Sequence, residues 1–150
     1  MGEFSVDLSA DYFKENVFGL GSVNTKTFIL LLASKRPRSF ISGQLVDLAN
    51  TLKVANRTEF HHLTPRTFLK AKYKGHLSDS VLANFAFLSR ADNNEIGGVE
   101  PSAYRAKMPE DVAPVLESAV ASEALFTDDY ERFVGERADK LLEAANALCD

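Results

Sequence analysis

The chain has 150 residues, of which 45% are hydrophobic and 25% charged, which suits one folded domain and excludes a wholly disordered chain. The longest apolar run, Phe28 to Ala33, is too short to cross a bilayer, so we expect no association with a membrane. The lone cysteine, Cys149, excludes an intrachain disulfide and a cysteine-based zinc site, and we expect a cytoplasmic protein.

The net charge of −4 is divided unevenly along the chain. Residues 26–76 carry ten basic groups against Asp47 and Glu59, a regional charge of +8, whereas residues 77–150 carry −9. The basic region surrounds two adjacent histidines, and such a region is typical of a phosphate-binding surface. An ordinary solvated surface is the alternative interpretation.

Helices are predicted on both sides of the chain's centre. Apolar residues recur at helical spacing from Val6 to Phe18, and again from an N-cap at Thr25 to about Ser34. A third helical pattern follows Gly43 and has apolar positions at Leu45, Leu48, Ala49 and Leu52. Near the C-terminus, 109–111 and 127–129 have residues typical of helix starts, and the second helix continues almost to the end.

The centre predicts a small sheet. Thr58 to Leu63 is a candidate strand entering a turn at Pro65, and Asn84 to Leu88 is a second, with an irregular basic stretch between them. Residues 90–96 can form one or two helical turns before two glycines end them. We therefore predict one α+β domain, mostly helical, with a helical lead-in (1–56), a ββα core (57–98) and C-terminal helices (99–150).

His61 and His62 are two of only three histidines in the chain. Phosphodiester hydrolysis requires a base that activates water and a cation that stabilises charge on the phosphate. A neutral imidazole can do either, so one ring can bind metal while the other accepts a proton from water. Asn84 is placed to hold the ring N–H of the base, and Asn94 can supply an oxygen ligand.

These residues occur in an order that resembles a known family. The segments Glu59-Phe-His61-His62-Leu-Thr-Pro65, Asn84-Phe-Ala-Phe-Leu88, Asn94-Glu-Ile-Gly and Pro101-Ser-Ala-Tyr104 are similar to the C-terminal HNH (His-Me finger) domain of GmrSD-like restriction and phage-defence proteins. The similarity covers about residues 25–108. It departs from many relatives at His61, where they have an acidic residue.

The resemblance implies a metal-dependent DNA endonuclease or nickase domain of a bacterial anti-phage restriction system. It assigns the general base to His62, an orienting role to Asn84, and one divalent ion to His61 and Asn94, with Mg²⁺ expected and Mn²⁺ as the alternative. It also implies a ParB-like nucleotide-hydrolysing domain N-terminal to this chain, which would then be a fragment. The candidate DNA contacts are Arg66, Lys70, Lys72, Lys74 and Arg90.

Other interpretations of the same residues stay open. The histidines can be a structural pair, and Asn84 and Asn94 can be turn or helix caps. Glu59 can support a histidine or be an exposed carboxylate. An inactive module that binds DNA or a partner is the alternative function, and a regulatory domain for the nucleotide-hydrolysing half is a third.

Overall fold

The fold is described here from a computed structural model for residues 9–19, 22–47 and 60–149. Helix α1 (Ala10–Glu15) lies within the range predicted for it, whereas α2 (Val23–Ser34) begins before its predicted start and ends where expected. The predicted N-cap of α2 is wrong by three residues, because the Ser22 hydroxyl accepts the hydrogen bond from the Thr25 amide. Thr25 is instead buried in the first turn, where its hydroxyl accepts a hydrogen bond from the Gly19 amide at 2.9 Å.

The described start of the predicted third helix is not helical. Gly43 has a φ of +76°, in the left-handed region that favours glycine. Beyond it, Leu45 pairs with Arg38 in an isolated antiparallel bridge, and its side chain is exposed. The remaining apolar positions of that pattern, residues 48–52, lie outside the described residues.

Two short antiparallel strands form the centre of the fold. Strand β1 (Phe60–His62) pairs with β2 (Phe85–Phe87) so that His61 lies opposite Ala86 and His62 opposite Phe85. Both strands were predicted, but β2 is shorter than expected. Asn84 belongs to a 3-10 turn (Leu82–Asn84) that precedes β2, and the predicted residues 58–59 of the first strand lie outside the described part of the chain.

A helix, α3 (Arg66–Lys72), occupies the stretch that was predicted to be irregular. Pro65 precedes it in an extended conformation, and Leu69 is buried while Lys70 and Lys72 point outwards. The expected turns after β2 are confirmed as α4 (Arg90–Ile96), which the Ser89 hydroxyl caps and Gly97 ends in the left-handed conformation. The α+β class and the helical character are as predicted, and the HNH fold stays a prediction.

Three α-helices follow in the described chain: α5 (Pro101–Tyr104), α6 (Ala113–Ser118) and α7 (Tyr130–Cys149), with 3-10 helices at Arg105–Lys107 and Glu123–Thr127. The predicted helix start at 109–111 is wrong, because α6 begins at Ala113 with Pro114 in its first turn. The second predicted start is confirmed. There the Asp129 carboxylate accepts a hydrogen bond from the Arg132 amide at 3.2 Å, at the first turn of α7.

Helix α7 presents a buried stripe to the rest of the fold, and α1 packs against it. The stripe follows helical spacing and is apolar except at Arg137, which is completely buried. Its buried members are Tyr130, Phe133, Val134, Arg137, Ala138, Leu141, Ala144 and Ala145.

The Arg137 guanidinium binds main-chain carbonyl groups. It donates hydrogen bonds to the carbonyls of Ala83 (2.8 Å), Phe85 and Ala119 (3.0 Å), and lies 5.8 Å from the centre of the Phe28 ring. No salt bridge to it occurs within the described ranges. Burial lowers the pKa of Arg137 to about 9, so the group is still protonated at neutral pH. The cation therefore joins α7 to the residues on either side of Asn84.

We predict that Arg137→Met lowers the free energy of unfolding by at least about 3 kcal/mol, because it leaves three buried carbonyl groups without a donor. Denaturant unfolding of Arg137→Met and of Arg132→Met measures the difference. Arg132 is exposed on the same helix, so its substitution should change the stability by less than about 0.5 kcal/mol. Equal stabilities for the two variants would contradict the proposed importance of the buried cation.

Candidate functional site

The two histidines open onto a cleft with a volume of about 370 Å³. The cleft lies between the end of β1, the first turn of α3 and the end of α4, so it joins residues about thirty positions apart in the chain. The residues that line it are His61, His62, Pro65, Arg66, Thr67, Asn93, Asn94, Gly97 and Gly98. Both predicted metal ligands, the predicted base and one predicted phosphate contact therefore lie at one place. Their roles stay predictions.

Two glycines bring α4 to the histidines. Gly97 and Gly98 both have a positive φ, at +69° and +77°. A Cβ on Gly98 would lie 3.4 Å from the Thr67 hydroxyl oxygen. A Cβ there would make an ordinary contact with α3, so the positive φ is what favours glycine at this position. The close approach of the two helices places Asn93 and Asn94 on the wall of the cleft.

Asn84 does not line the cleft, and its predicted hydrogen bond to a histidine ring does not occur in the described part of the chain. The side chain is completely buried. Its Oδ1 accepts a hydrogen bond from the Thr64 amide at 2.8 Å, and its Nδ2 donates to the carbonyls of Thr64 (3.0 Å) and Asp79 (2.9 Å). The 3-10 turn directs the amide at the main chain of two earlier segments, at Thr64 and Asp79. Asn84 therefore fixes the turn that follows His62 and not the ring itself.

Two buried tyrosines bond to the same region. The Tyr104 hydroxyl donates to the carbonyl of Leu63, and the Tyr130 hydroxyl donates to the carbonyl of Ser78, both at 2.7 Å. Burial raises the pKa of both phenols, so they are protonated donors at any physiological pH. The turn after His62 and the loop before Asn84 are thus held by donors from α5 and α7.

His62 is neutral at physiological pH in this environment. Burial lowers its pKa to about 4, opposed by the nearby charge of Asp79 and reinforced by those of Arg66 and His61. Its ring packs at a tilt on Phe85, with the centroids 4.4 Å apart. Its Nε2 atom is buried and has no hydrogen-bond partner among the described residues. A neutral ring can accept a proton from water or bind a cation, although a low pKa makes it a weak base.

Asp79 is a residue of this region that the sequence analysis missed. Its carboxylate accepts a hydrogen bond from Nε of Arg66 at 3.3 Å and one from the Ser80 hydroxyl at 2.7 Å. Burial works to raise the pKa of Asp79, but the Ser80 hydroxyl, the charge of Arg66 and the charge that His62 carries when protonated outweigh it, so the net shift is downward. The sequence Ser78-Asp79-Ser80 indicates only a turn and contains no signal for this pairing.

Of the five predicted DNA contacts, Arg66 is the one that lines the histidine cleft. Lys70, Lys74 and Arg90 are exposed, as is Lys72. Lys72 and Lys74 border a separate cavity of about 340 Å³, together with the acidic residues Asp128, Asp129 and Glu131. That second cavity is of mixed charge, so the basic region of the sequence is not a purely basic surface.

The donors around the cleft decide which cation fits it. They are imidazole nitrogens of His61 and His62 and amide oxygens of Asn93 and Asn94. Among the described residues that line the cleft none is a carboxylate, and no group of three or more His, Cys, Asp or Glu suited to a metal occurs in 9–19, 22–47 or 60–149. Such donors suit Mn²⁺ better than Mg²⁺, which prefers oxygen ligands. Glu59 lies outside the described residues.

The low pKa of His62 predicts that this residue makes the fold less stable in acid. Because the folded pKa of about 4 lies below the usual value of 6.5, its contribution is complete above about pH 6.5 and is lost as the pH falls towards 4. In EDTA, His62→Asn should remove about 1–2 kcal/mol of the acid-induced loss of stability, after allowance for solvent screening. Chemical unfolding at a series of pH values from 7 to 4 measures the slope of the free energy of unfolding against pH.

His76 is the matched control for this experiment, because its side chain is exposed. The variant His76→Asn should keep the slope of the unmodified protein. If His62→Asn also keeps that slope, burial of the His62 ring does not oppose its protonation.

No described helix of this chain combines the length and the apolar character needed to cross a membrane. No protein-family model, curated protein or solved structure matches the chain. The residues of the cleft are therefore the basis for a functional assignment.

Proposed function

We propose that this chain is a metal-dependent endonuclease or nickase domain that hydrolyses DNA phosphodiesters at the histidine cleft. The observation that carries the proposal is the convergence of His61, His62, Arg66 and Asn94 on one cleft, from three separate elements. A neutral imidazole, an amide oxygen and a guanidinium are the groups that water activation, cation binding and phosphate binding require.

His62 is the proposed general base. Its neutral ring accepts a proton from the attacking water, the new bond from water oxygen to phosphorus forms, and the bond from phosphorus to the leaving oxygen breaks. The turn held by Asn84 and Tyr104 keeps the imidazole at the edge of the cleft. Arg66, the exposed cation of the cleft, donates hydrogen bonds to the phosphate.

His61 and Asn94 are the proposed ligands of one divalent cation, and Asn93 lines the same wall. When bound, the cation stabilises the negative charge that develops on the phosphate and on the leaving oxygen. The imidazole donor favours Mn²⁺, and Mg²⁺ is the second candidate. We therefore expect greater activity with Mn²⁺ than with Mg²⁺ and none after chelation.

The cellular context of this proposal comes from the sequence resemblance alone. By that resemblance the domain belongs to a cytoplasmic anti-phage restriction system of a bacterium. Its proposed partner is a ParB-like nucleotide-hydrolysing domain. The residues of the cleft support the proposed chemistry, but they support neither the restriction system nor the ParB-like partner.

A DNA- or partner-binding module without catalytic activity is the second candidate. The half-buried His62 ring, packed on Phe85 with a pKa of about 4, favours it, because such a ring is a weak base. The two candidates differ in one outcome. The module binds DNA with a steep salt dependence and never cleaves it.

We predict that His62→Ala lowers metal-dependent nicking of supercoiled plasmid at least about a hundredfold, because general-base catalysis contributes typically that much or more. The assay compares Mn²⁺, Mg²⁺ and EDTA, and circular dichroism checks that the variant is folded.

His76→Ala serves as the control for loss of a histidine outside the cleft, and it should nick at the rate of the unmodified protein. Equal nicking by His62→Ala and His76→Ala, after rigorous purification, would contradict the assignment of the base. Binding of DNA by the unmodified protein without any cleavage would favour the module.

A further inference from the structure

The Asp79 side chain is fixed beside the histidine cleft. Its Oδ1 accepts the hydrogen bond from Ser80, and its main-chain carbonyl accepts one from the buried amide of Asn84. Only 25% of the side chain is exposed. The remaining carboxylate oxygen, Oδ2, points to Arg66. Asp79 therefore offers one oriented acceptor from a position that the core of the fold determines.

Arg66 is the more exposed partner of this pair. It is the first residue of α3, its side chain is 55% exposed, and its Nε donates to Asp79 at 3.3 Å. Its two terminal nitrogens make no hydrogen bond to other described residues. A guanidinium held by Nε keeps these nitrogens available for two parallel bonds to a phosphate.

Stability is a poor explanation for the pair, because exposed ion pairs contribute little to folding. Charge is a poor explanation too. A carboxylate beside an arginine reduces the positive potential of the cleft and by itself weakens the binding of an anion. Orientation and charge thus predict opposite effects when the carboxylate is removed. This difference makes the role of Asp79 testable.

We propose that Asp79 is a positioning residue, which holds Arg66 by its Nε so that the terminal guanidinium nitrogens face one phosphate in the histidine cleft. The proposal rests on the proposed function in one respect, because it takes that phosphate to belong to a nucleic-acid backbone. Asp79 touches neither the phosphate nor the attacking water. It acts through Arg66 by reducing the number of conformations that the side chain loses on binding.

The first test measures binding of a fluorescein-labelled DNA duplex by anisotropy, in EDTA and at low salt. Asp79→Ala should weaken binding about threefold to tenfold, since Arg66 is then ordered only on binding. Asp79→Asn keeps an oxygen acceptor for Nε and should bind within about twofold of the unmodified protein. Asp111→Ala is the control. It removes the same charge from an exposed residue that does not line the cleft.

A double-mutant cycle separates positioning from a general effect on structure. In an Arg66→Ala background, Asp79→Ala should have no further effect on binding. In the nicking assay with Mn²⁺, Asp79→Ala should raise KM. Any change in kcat should be the same in Asp79→Asn, because both variants remove the charge that acts on His62.

Three outcomes would overturn the proposal. Tighter binding of the duplex by both Asp79→Ala and Asp79→Asn means that the negative charge of Asp79 affects binding more than the orientation of Arg66 does. Equal weakening by Asp79→Ala with and without Arg66 means that the residue is only structural. Absence of Asp79-dependent binding to any phosphate probe means that Arg66 is not presented to phosphate.

Inorganic pyrophosphate, used as a second probe, distinguishes failure of this proposal from failure of the nuclease proposal. If pyrophosphate binds in an Asp79-dependent manner and the duplex does not bind, the positioning role stands and the phosphate belongs to a small molecule. The nuclease assignment then fails. If the duplex binds and is nicked without any contribution from Asp79, the nuclease assignment stands and the positioning role fails.

Discussion

The buried guanidinium of Arg137 is the interaction on which the remainder of the site depends. It lies in the apolar stripe of α7 and donates to carbonyls on both sides of Asn84. Asn84 in turn bonds the main chain of Thr64 and Asp79, which border the two histidines and Arg66. A buried cation without carbonyl or charged partners is costly, so its hydrogen bonds restrict α7 to one position against the sheet. The proposed catalytic site thus depends on a residue outside the cleft.

The cleft is supported by main-chain bonds more than by ion pairs. Asn84, Tyr104, Tyr130 and Arg137 all donate to carbonyl groups of the segments that carry the histidines or precede Asn84. Tyr104, Tyr130 and Arg137 are protonated at physiological pH, and all four donors are buried, so these hydrogen bonds should be insensitive to salt. The pair of Arg66 and Asp79 is more exposed.

The sequence predicted those elements that local patterns determine. The turn at Pro65 and the short apolar run after Asn84 indicated the two strands, and Gly97 with Gly98 indicated the end of α4. The sequence did not predict the partners of side chains that bond to residues distant in the chain. Asn84 has a typical turn chemistry, but its true partners are twenty and five residues away. Arg137 had a readable signal, a charged residue in an apolar stripe, whereas Asp79 had none, because its partner Arg66 is chosen by the fold.

The most direct test of the central claim is whether a divalent cation binds between His61 and the end of α4. Titration of the isotope-labelled protein with Mn²⁺ broadens the amide signals of residues near the bound ion. We expect selective broadening of the signals of residues 61–62 and 93–98 at less than one equivalent of Mn²⁺, and its loss in His61→Ala. Broadening centred on the acidic residues 128–131, or none before general surface binding, would contradict a metal-dependent site at the histidine cleft.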